Sequence, residues 1–129
     1  MISNIFLKAG LNPTIQVGAL LKEINSNYNI GTDDMFIFES CEYKDSFLNF
    51  YPKSTVITNI DQDHMEYFKT LENILISFKK YIMNIQRNGK VYINLDDENS
   101  KEVLEYANYN REDLEKVTFG IENDDAEYQ

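Results

Sequence analysis

Two groups of polar side chains follow short apolar segments of this sequence and could bind a metal ion. One group follows residues 35–38 and the other follows residues 55–58; together they comprise Glu39, Glu42, Asp45, Asn59, Asp61, Asp63 and His64. Mg²⁺ in proteins is held by one or two carboxylates together with substrate phosphates, and Glu39 stands directly after the first segment. An acid in this place is also common as a turn or cap residue, and a lone histidine such as His64 more often has no ligand role. The pattern therefore predicts a functional site only if the ends of the two segments meet.

The segments that must position these side chains alternate between strand and helix patterns. Short β-rich apolar runs occupy residues 14–17, 35–38, 55–58, 91–93 and 117–119. Apolar residues at helical spacing predict helices over residues 2–9, 70–86 and 100–108. Thr70 is the expected N-cap and Gly89 the expected C-cap of the longest helix. This alternation predicts an α/β fold of three layers, a mostly parallel sheet with helices on both faces, in which ligands bind at the carboxyl ends of the strands.

The composition excludes several classes of protein. The 129 residues are 43% hydrophobic and include 8 Phe and 9 Tyr, which is enough for one domain with a core. The net charge of −10 comes almost entirely from residues 91–129, with 12 acidic and 3 basic side chains. We expect no nucleic-acid partner, because such binding needs a basic surface to neutralise phosphates. No apolar run approaches the roughly 18 residues of a membrane span, so we expect a soluble, cytoplasmic protein without a membrane partner.

The single cysteine, Cys41, excludes an internal disulfide and a four-cysteine zinc site. No oxyanion-hole pattern accompanies it, and the only histidine lies 23 positions further on. We therefore expect a structural thiol and not a nucleophile.

Residues 37–68 closely resemble the central domain of the Mur ligase family. The family pattern E-A-[CD]-E-x-x-x-S-F is matched by Glu39, Cys41, Glu42, Ser46 and Phe47. The second family pattern, T-N-I-x-x-D-H-x-[DE]-x-F, is matched by Thr58, Asn59, Ile60, Asp63, His64, Glu66 and Phe68. The interval of 25 residues from Glu39 to His64 also agrees with the family, and the similarity extends over essentially the whole chain.

The resemblance implies an ATP- and Mg²⁺-dependent ligase of peptidoglycan synthesis that joins L-alanine to UDP-N-acetylmuramate. In that reaction the lactyl carboxylate is phosphorylated to an acyl phosphate, which the amine of L-alanine then attacks. By the same resemblance, Glu39 and His64 are the expected catalytic residues and metal ligands: Glu39 holds the Mg²⁺ that bridges the phosphates, and His64 faces a second Mg²⁺ or the acyl phosphate. Asn59 and Glu42 are expected to bind the cofactor and shape the site.

The sequence also departs from the family. The phosphate loop, G-x-x-G-K-T, is absent, since Gly89 and Lys90 continue into Val91. We expect residues 1–129 to be a partial central domain that begins just after this loop, without the N-terminal domain for the uridine nucleotide or the C-terminal domain for the amino acid. The chain alone is then expected to be inactive. Loss of the strand before the loop exposes a sheet edge, so we also expect self-association.

Three other interpretations remain open. A related ligase attaches a recycled peptide to the same sugar nucleotide and has a similar central motif. Folate-polyglutamylating relatives fit the C-E-Y-x-x-S-F segment less well. A non-catalytic, acidic α/β interaction module is the alternative from a different class, although the chain has no lysine directly after its last strand, as a receiver-like domain would require.

Overall fold

The computed structural model describes all residues from Met1 to Gln129. The chain divides into two compact units, Met1–Ser40 and Cys41–Gln129, which are described separately. No helix has the length and apolar character needed to cross a membrane.

The first unit contains one helix and a three-stranded mixed sheet. Its elements are α1 (Ile2–Lys8), β1 (Thr14–Leu21), β2 (Ser26–Asn29) and β3 (Phe36–Phe38). The central strand β1 pairs with β2 antiparallel and with β3 parallel. Helix α1 ends as predicted before Gly10, whose φ of +79° is a left-handed conformation that glycine adopts without strain. The sequence did not predict β2, because this strand is polar and gives no apolar pattern.

The second unit is an α/β layer structure around a parallel sheet. Its elements are a 3₁₀ segment (Tyr43–Asn49), β4 (Ser54–Ile57), α2 (Met65–Phe68), α3 (Leu71–Asn84), β5 (Lys90–Asn94), α4 (Glu98–Asn110) and β6 (Glu115–Phe119). The three strands are all parallel, in the order β4-β5-β6. The core lies where α3 and α4 cover the sheet, and it includes Ile74, Ile82, Val91, Ile93 and Val103, each at most 1% exposed.

These units confirm the α/β class, the five predicted strands and the three predicted helices. The strands are divided between two sheets, and the first sheet is only partly parallel. The physical reason is the short turn between β1 and β2, since strands joined by a tight hairpin must run antiparallel.

The ends of α3 show one correct and one wrong prediction. The Thr70 side chain accepts a hydrogen bond from the Asn73 N–H, so Thr70 is the N-cap, as predicted. The helix ends at Asn84 with Ile85 as C-cap, so the predicted C-cap at Gly89 was wrong. The Arg111 guanidinium instead donates to the last carbonyl groups of the helix, and these groups therefore need no glycine-based turn.

Candidate functional site

The ring of His64 lies among carboxylates in the second unit. His64 is the N-cap of α2 and has a left-handed backbone, with φ 52° and ψ 39°. Its Nε2 lies 4.0 Å from Glu42 Oε1. Its Nδ1 lies 3.9 Å from Asp63 Oδ1 and 3.7 Å from Glu66 Oε1. Because 32% of the His64 side chain is exposed, the ring is accessible to a ligand that enters this acidic cluster.

The ring of Tyr43 packs against the ring of His64. The two ring centroids are 4.5 Å apart, and the ring planes are inclined by 36°. Tyr43 also contacts Tyr67, at a centroid distance of 6.3 Å in an edge-to-face arrangement. Aromatic contacts at such distances favour one mutual orientation, so Tyr43 restricts the rotation of the imidazole.

The motif residues Ser46 and Phe47 hold the segment that carries Glu42. Ser46 Oγ donates to the Cys41 carbonyl at 2.7 Å, and the Phe47 N–H donates to the same carbonyl at 3.0 Å. The Phe47 ring is 2% exposed and stacks on Tyr81 at a centroid distance of 4.6 Å. These two residues therefore shape the loop and attach it to α3. Cys41 is a free, exposed cysteine whose carbonyl accepts these bonds. That its thiol is structural and not a nucleophile stays a prediction.

Side chains at the end of β5, at the start of α4 and between them hold the backbone that follows β4. Asn94 Nδ2 donates to the Thr58 carbonyl at 2.9 Å, and Asn99 Nδ2 donates to the Ile60 carbonyl at 2.7 Å. The Ile60 N–H donates to Asp97 Oδ2 at 3.1 Å. Hydrogen bonds thus hold the first and third residues of the second family motif, Thr58 and Ile60.

Asp97 has two roles in this connection. The carboxylate oxygen that accepts from the Ile60 N–H also accepts from the backbone N–H of Ser100 at 2.8 Å, which makes Asp97 the N-cap of α4. A single carboxylate therefore joins the start of α4 to the loop that presents the exposed Asn59.

The neighbouring Asp96 binds the backbone near the C-terminus and is not part of the site. Its carboxylate accepts hydrogen bonds from the backbone N–H groups of Ile121, Glu122 and Asn123. These bonds stabilise the charged form and lower the pKa of Asp96 below its ordinary value.

Glu39 belongs to the first unit, directly after β3. Its Oε2 accepts a hydrogen bond from the Gly18 N–H at 2.7 Å, and its side chain is exposed. A Cβ at position 18 would lie 3.2 Å from this oxygen, so the glycine permits the close approach. The carboxylate is thereby fixed and open to solvent. That the ends of the two segments meet stays a prediction.

Glu42, Asp63 and His64 form a donor set that fits a divalent cation. Each offers one ligand atom, and these atoms lie within 4.8 Å of one another. Opposite ligands of one octahedral Mg²⁺ ion are about 4.2 Å apart, so modest side-chain rotations would bring the three donors onto one ion. The two carboxylates suit Mg²⁺ or Mn²⁺ that retains several waters, whereas the imidazole is a more usual ligand of Zn²⁺ or Fe²⁺.

Comparison with known proteins identifies the family. A family model described as the Mur ligase middle domain matches residues 4–129. The chain belongs to this family. It is 49% identical over 110 residues to a UDP-N-acetylmuramate–L-alanine ligase of Caldicellulosiruptor saccharolyticus. This alignment covers 85% of the chain and 24% of that protein.

Two solved Mur ligase structures have the same fold. The UDP-N-acetylmuramate–alanine ligase of Thermotoga maritima aligns with 95% of the chain and 25% of its own, at a TM-score of 0.74 and 23% identity. The MurF ligase of the same organism, in complex with ADP, aligns with 92% of the chain and 28% of its own, at a TM-score of 0.61 and 20% identity. The chain spans about a quarter of the length of the curated relatives it matches.

Within this Mur ligase domain, the structure brings together two of the residues predicted from the motifs, Glu42 and His64. It also places there Asp63, which was among the polar side chains that could bind a metal ion, and Tyr43, which falls on a variable position of the pattern. The adjacency of Asp63 to His64 was a usable signal. No local signal marks Tyr43, because its contact with His64 depends on how the chain returns after β4.

Proposed function

We propose that this chain is part of the middle domain of an ATP-dependent Mur ligase that joins L-alanine to UDP-N-acetylmuramate. The observation that carries the proposal is the position of Glu42, from the first motif, and Asp63, from the second, beside His64. The 49% identity to a protein named as that ligase supports the same substrates.

Mg²⁺ bound with ATP would supply charge neutralisation for phosphoryl transfer to the lactyl carboxylate. Glu39 is suited to hold one ion, because its exposed carboxylate is fixed by the Gly18 N–H. His64, with Glu42 and Asp63, is suited to hold a second ion. Asn59 adds an exposed amide for the cofactor, on a loop whose neighbouring backbone is fixed.

The contribution of these residues to catalysis is preorganisation. Phosphoryl transfer requires little covalent chemistry from the protein, so the rate depends on position and on charge that is already in place. The left-handed turn at His64 and the hydrogen bonds at Thr58 and Ile60 hold the donors without reorganisation during the reaction.

The proposal includes the position of this chain in a longer protein. The coverage of about a quarter of each relative supports a part of a longer protein. We propose that this part follows a phosphate loop, and that further domains hold the uridine nucleotide and the amino acid. The isolated chain should then have negligible affinity for Mg·ATP, because the loop would supply most of the phosphate contacts.

Calorimetric titration with Mg·ATP tests this position directly. We expect binding to a longer form that includes the phosphate loop and no measurable binding to residues 1–129. Tight binding to residues 1–129 would contradict the proposal, since other groups would then hold the phosphates. Phosphate release by the longer form, with UDP-N-acetylmuramate and either L-alanine or a peptide, separates the proposed ligase from a peptide-recycling one.

Replacing Glu39 by alanine in the longer form tests its role as a metal ligand. We expect turnover to fall by orders of magnitude with little change in stability, because an exposed carboxylate contributes little packing. Asp34→Ala is the matched control, since it removes an exposed carboxylate from the same unit. Undiminished turnover in Glu39→Ala would remove Glu39 from the site.

A further inference from the structure

The 3₁₀ segment beside His64 contains two consecutive residues in a left-handed conformation. Lys44 has φ 53° and ψ 33°, and Asp45 has φ 57° and ψ 23°. Neither residue is glycine, so both backbones are in a region that is unfavourable for residues with a Cβ. Such a turn persists only where surrounding contacts hold it.

The Asp45 carboxylate provides contacts of this kind to two other elements. Asp45 Oδ2 accepts a hydrogen bond from the Tyr67 hydroxyl of α2 at 2.6 Å, and Asp45 Oδ1 accepts one from the Ser77 hydroxyl of α3. Ser77 is only 3% exposed, so the carboxylate reaches a buried donor. The bond to Asp45 also raises the pKa of Tyr67, because it stabilises the protonated phenol.

These bonds connect the segments on either side of His64. Glu42 and Tyr43 lie three and two positions before Asp45, and Tyr67 lies three positions after His64. We propose that Asp45 is a positioning residue of this site: its bonds to Tyr67 and Ser77 hold the left-handed turn that sets Glu42 and Tyr43 against the His64 ring. The part of this inference that concerns metal affinity rests on the proposed function, whereas the part that concerns the His64 ring does not.

His64 gives a direct readout, because it is the only histidine in the chain. Its imidazole proton signals can be followed by NMR in the full 129-residue chain, where the Tyr43 ring shifts them. Replacing Asp45 by asparagine weakens both bonds at nearly constant volume. We expect the His64 signals to move towards those of an unstructured histidine. We also expect the dissociation constant for Mn²⁺ to rise about tenfold, as for loss of other groups that orient metal ligands.

Two further variants keep the test decisive. Asp45→Gly removes the carboxylate and also relieves the strain of the left-handed backbone. If the His64 signals then move as they do in Asp45→Asn, the effect is due to the carboxylate. Tyr67→Phe removes the hydroxyl that donates to Asp45, at a partly exposed position. It provides the same test if the Asp45 variants do not fold. Asp124→Asn, an exposed carboxylate of the same unit, is the control for loss of charge.

Unchanged His64 signals in both Asp45→Asn and Tyr67→Phe would overturn the proposal. The proposal would also be overturned if Asp45→Gly had the same His64 signals as the unsubstituted chain, because the backbone alone would then define the turn. If Mn²⁺ does not broaden the His64 signals of the unsubstituted chain, but the variants still move them, the positioning role stands and the proposed metal site fails.

Discussion

Replacement of Arg111 by methionine should strongly destabilise the second unit. The Arg111 guanidinium donates to the carbonyls of Ile82 at 2.9 Å, Met83 at 3.0 Å and Ile85 at 2.8 Å, all at the end of α3. It also forms a two-bond pair with Asp113, at 2.8 and 2.9 Å. Methionine preserves most of the packing of the aliphatic stem and removes every donor.

The size of the effect follows from the buried carbonyl groups that lose the guanidinium. Ile82 and Ile85 are 0% and 2% exposed, so water cannot readily replace the guanidinium there. The Ile85 carbonyl then has no partner, which costs about 1–3 kcal/mol for a buried acceptor. The Ile82 carbonyl keeps the bond from the Ile85 N–H at 3.3 Å but loses its bond to a charged donor, which is worth about 1.5–3 kcal/mol. We therefore expect a loss of about 4 kcal/mol in the free energy of unfolding, or roughly 15 °C in Tm.

Urea unfolding followed by circular dichroism at the helical band measures this loss. Arg87→Met is the matched control, because Arg87 is exposed and its replacement should change stability by less than about 0.5 kcal/mol. Arg111→Lys, which keeps the charge but loses the planar set of donors, should fall between the two. A loss in Arg111→Met no greater than in the control would refute the argument, since α3 would then end without help from this side chain.

Three further predictions concern charge, the site loop and the sheet edge. Arg111 lowers the pKa of Asp113, so the stability that this pair contributes should be complete above about pH 5 and decline as the pH falls below the ordinary pKa near 3.9. Thermal unfolding from pH 3 to 7 measures this decline, which should be absent in Asp113→Asn. Asp97→Ala should cost about 2–3 kcal/mol in urea unfolding, because it removes a helix cap and leaves the Ile60 N–H without its partner, whereas Asp124→Ala should cost almost nothing. If copies of the chain associate through the edge strand β4, where Val56 is 45% exposed, Val56→Lys should abolish the association seen by light scattering; a monomer at high concentration before any substitution would contradict this.

The predictable part of the fold is the part that local sequence specifies. The five apolar strands and the three helices follow from the spacing of apolar residues, which is set by the 3.6-residue turn of a helix and the two-residue repeat of a strand. Thr70 could be recognised as an N-cap because it bonds to an N–H only three residues away. Strand β2 has no such pattern, and it forms because β1 offers a hydrogen-bonding edge.

The candidate site divides in the same way. The motifs identified Glu42 and His64, since the residue types and their spacing are written in the sequence. They did not identify Asp45 as a bridge to Tyr67 and Ser77, because those partners lie 22 and 32 positions away.

Sequence by itself determined the family, the α/β class and most of the donor residues, because these depend on side-chain chemistry and short-range periodicity. Tertiary structure alone decided where α3 ends and how the His64 ring is held. In both places a charged side chain satisfies groups that are distant in the chain: Arg111 at the end of α3, and Asp45 beside the His64 loop. Such bonds form only after packing has brought the partners together and excluded most of the water that would otherwise satisfy them.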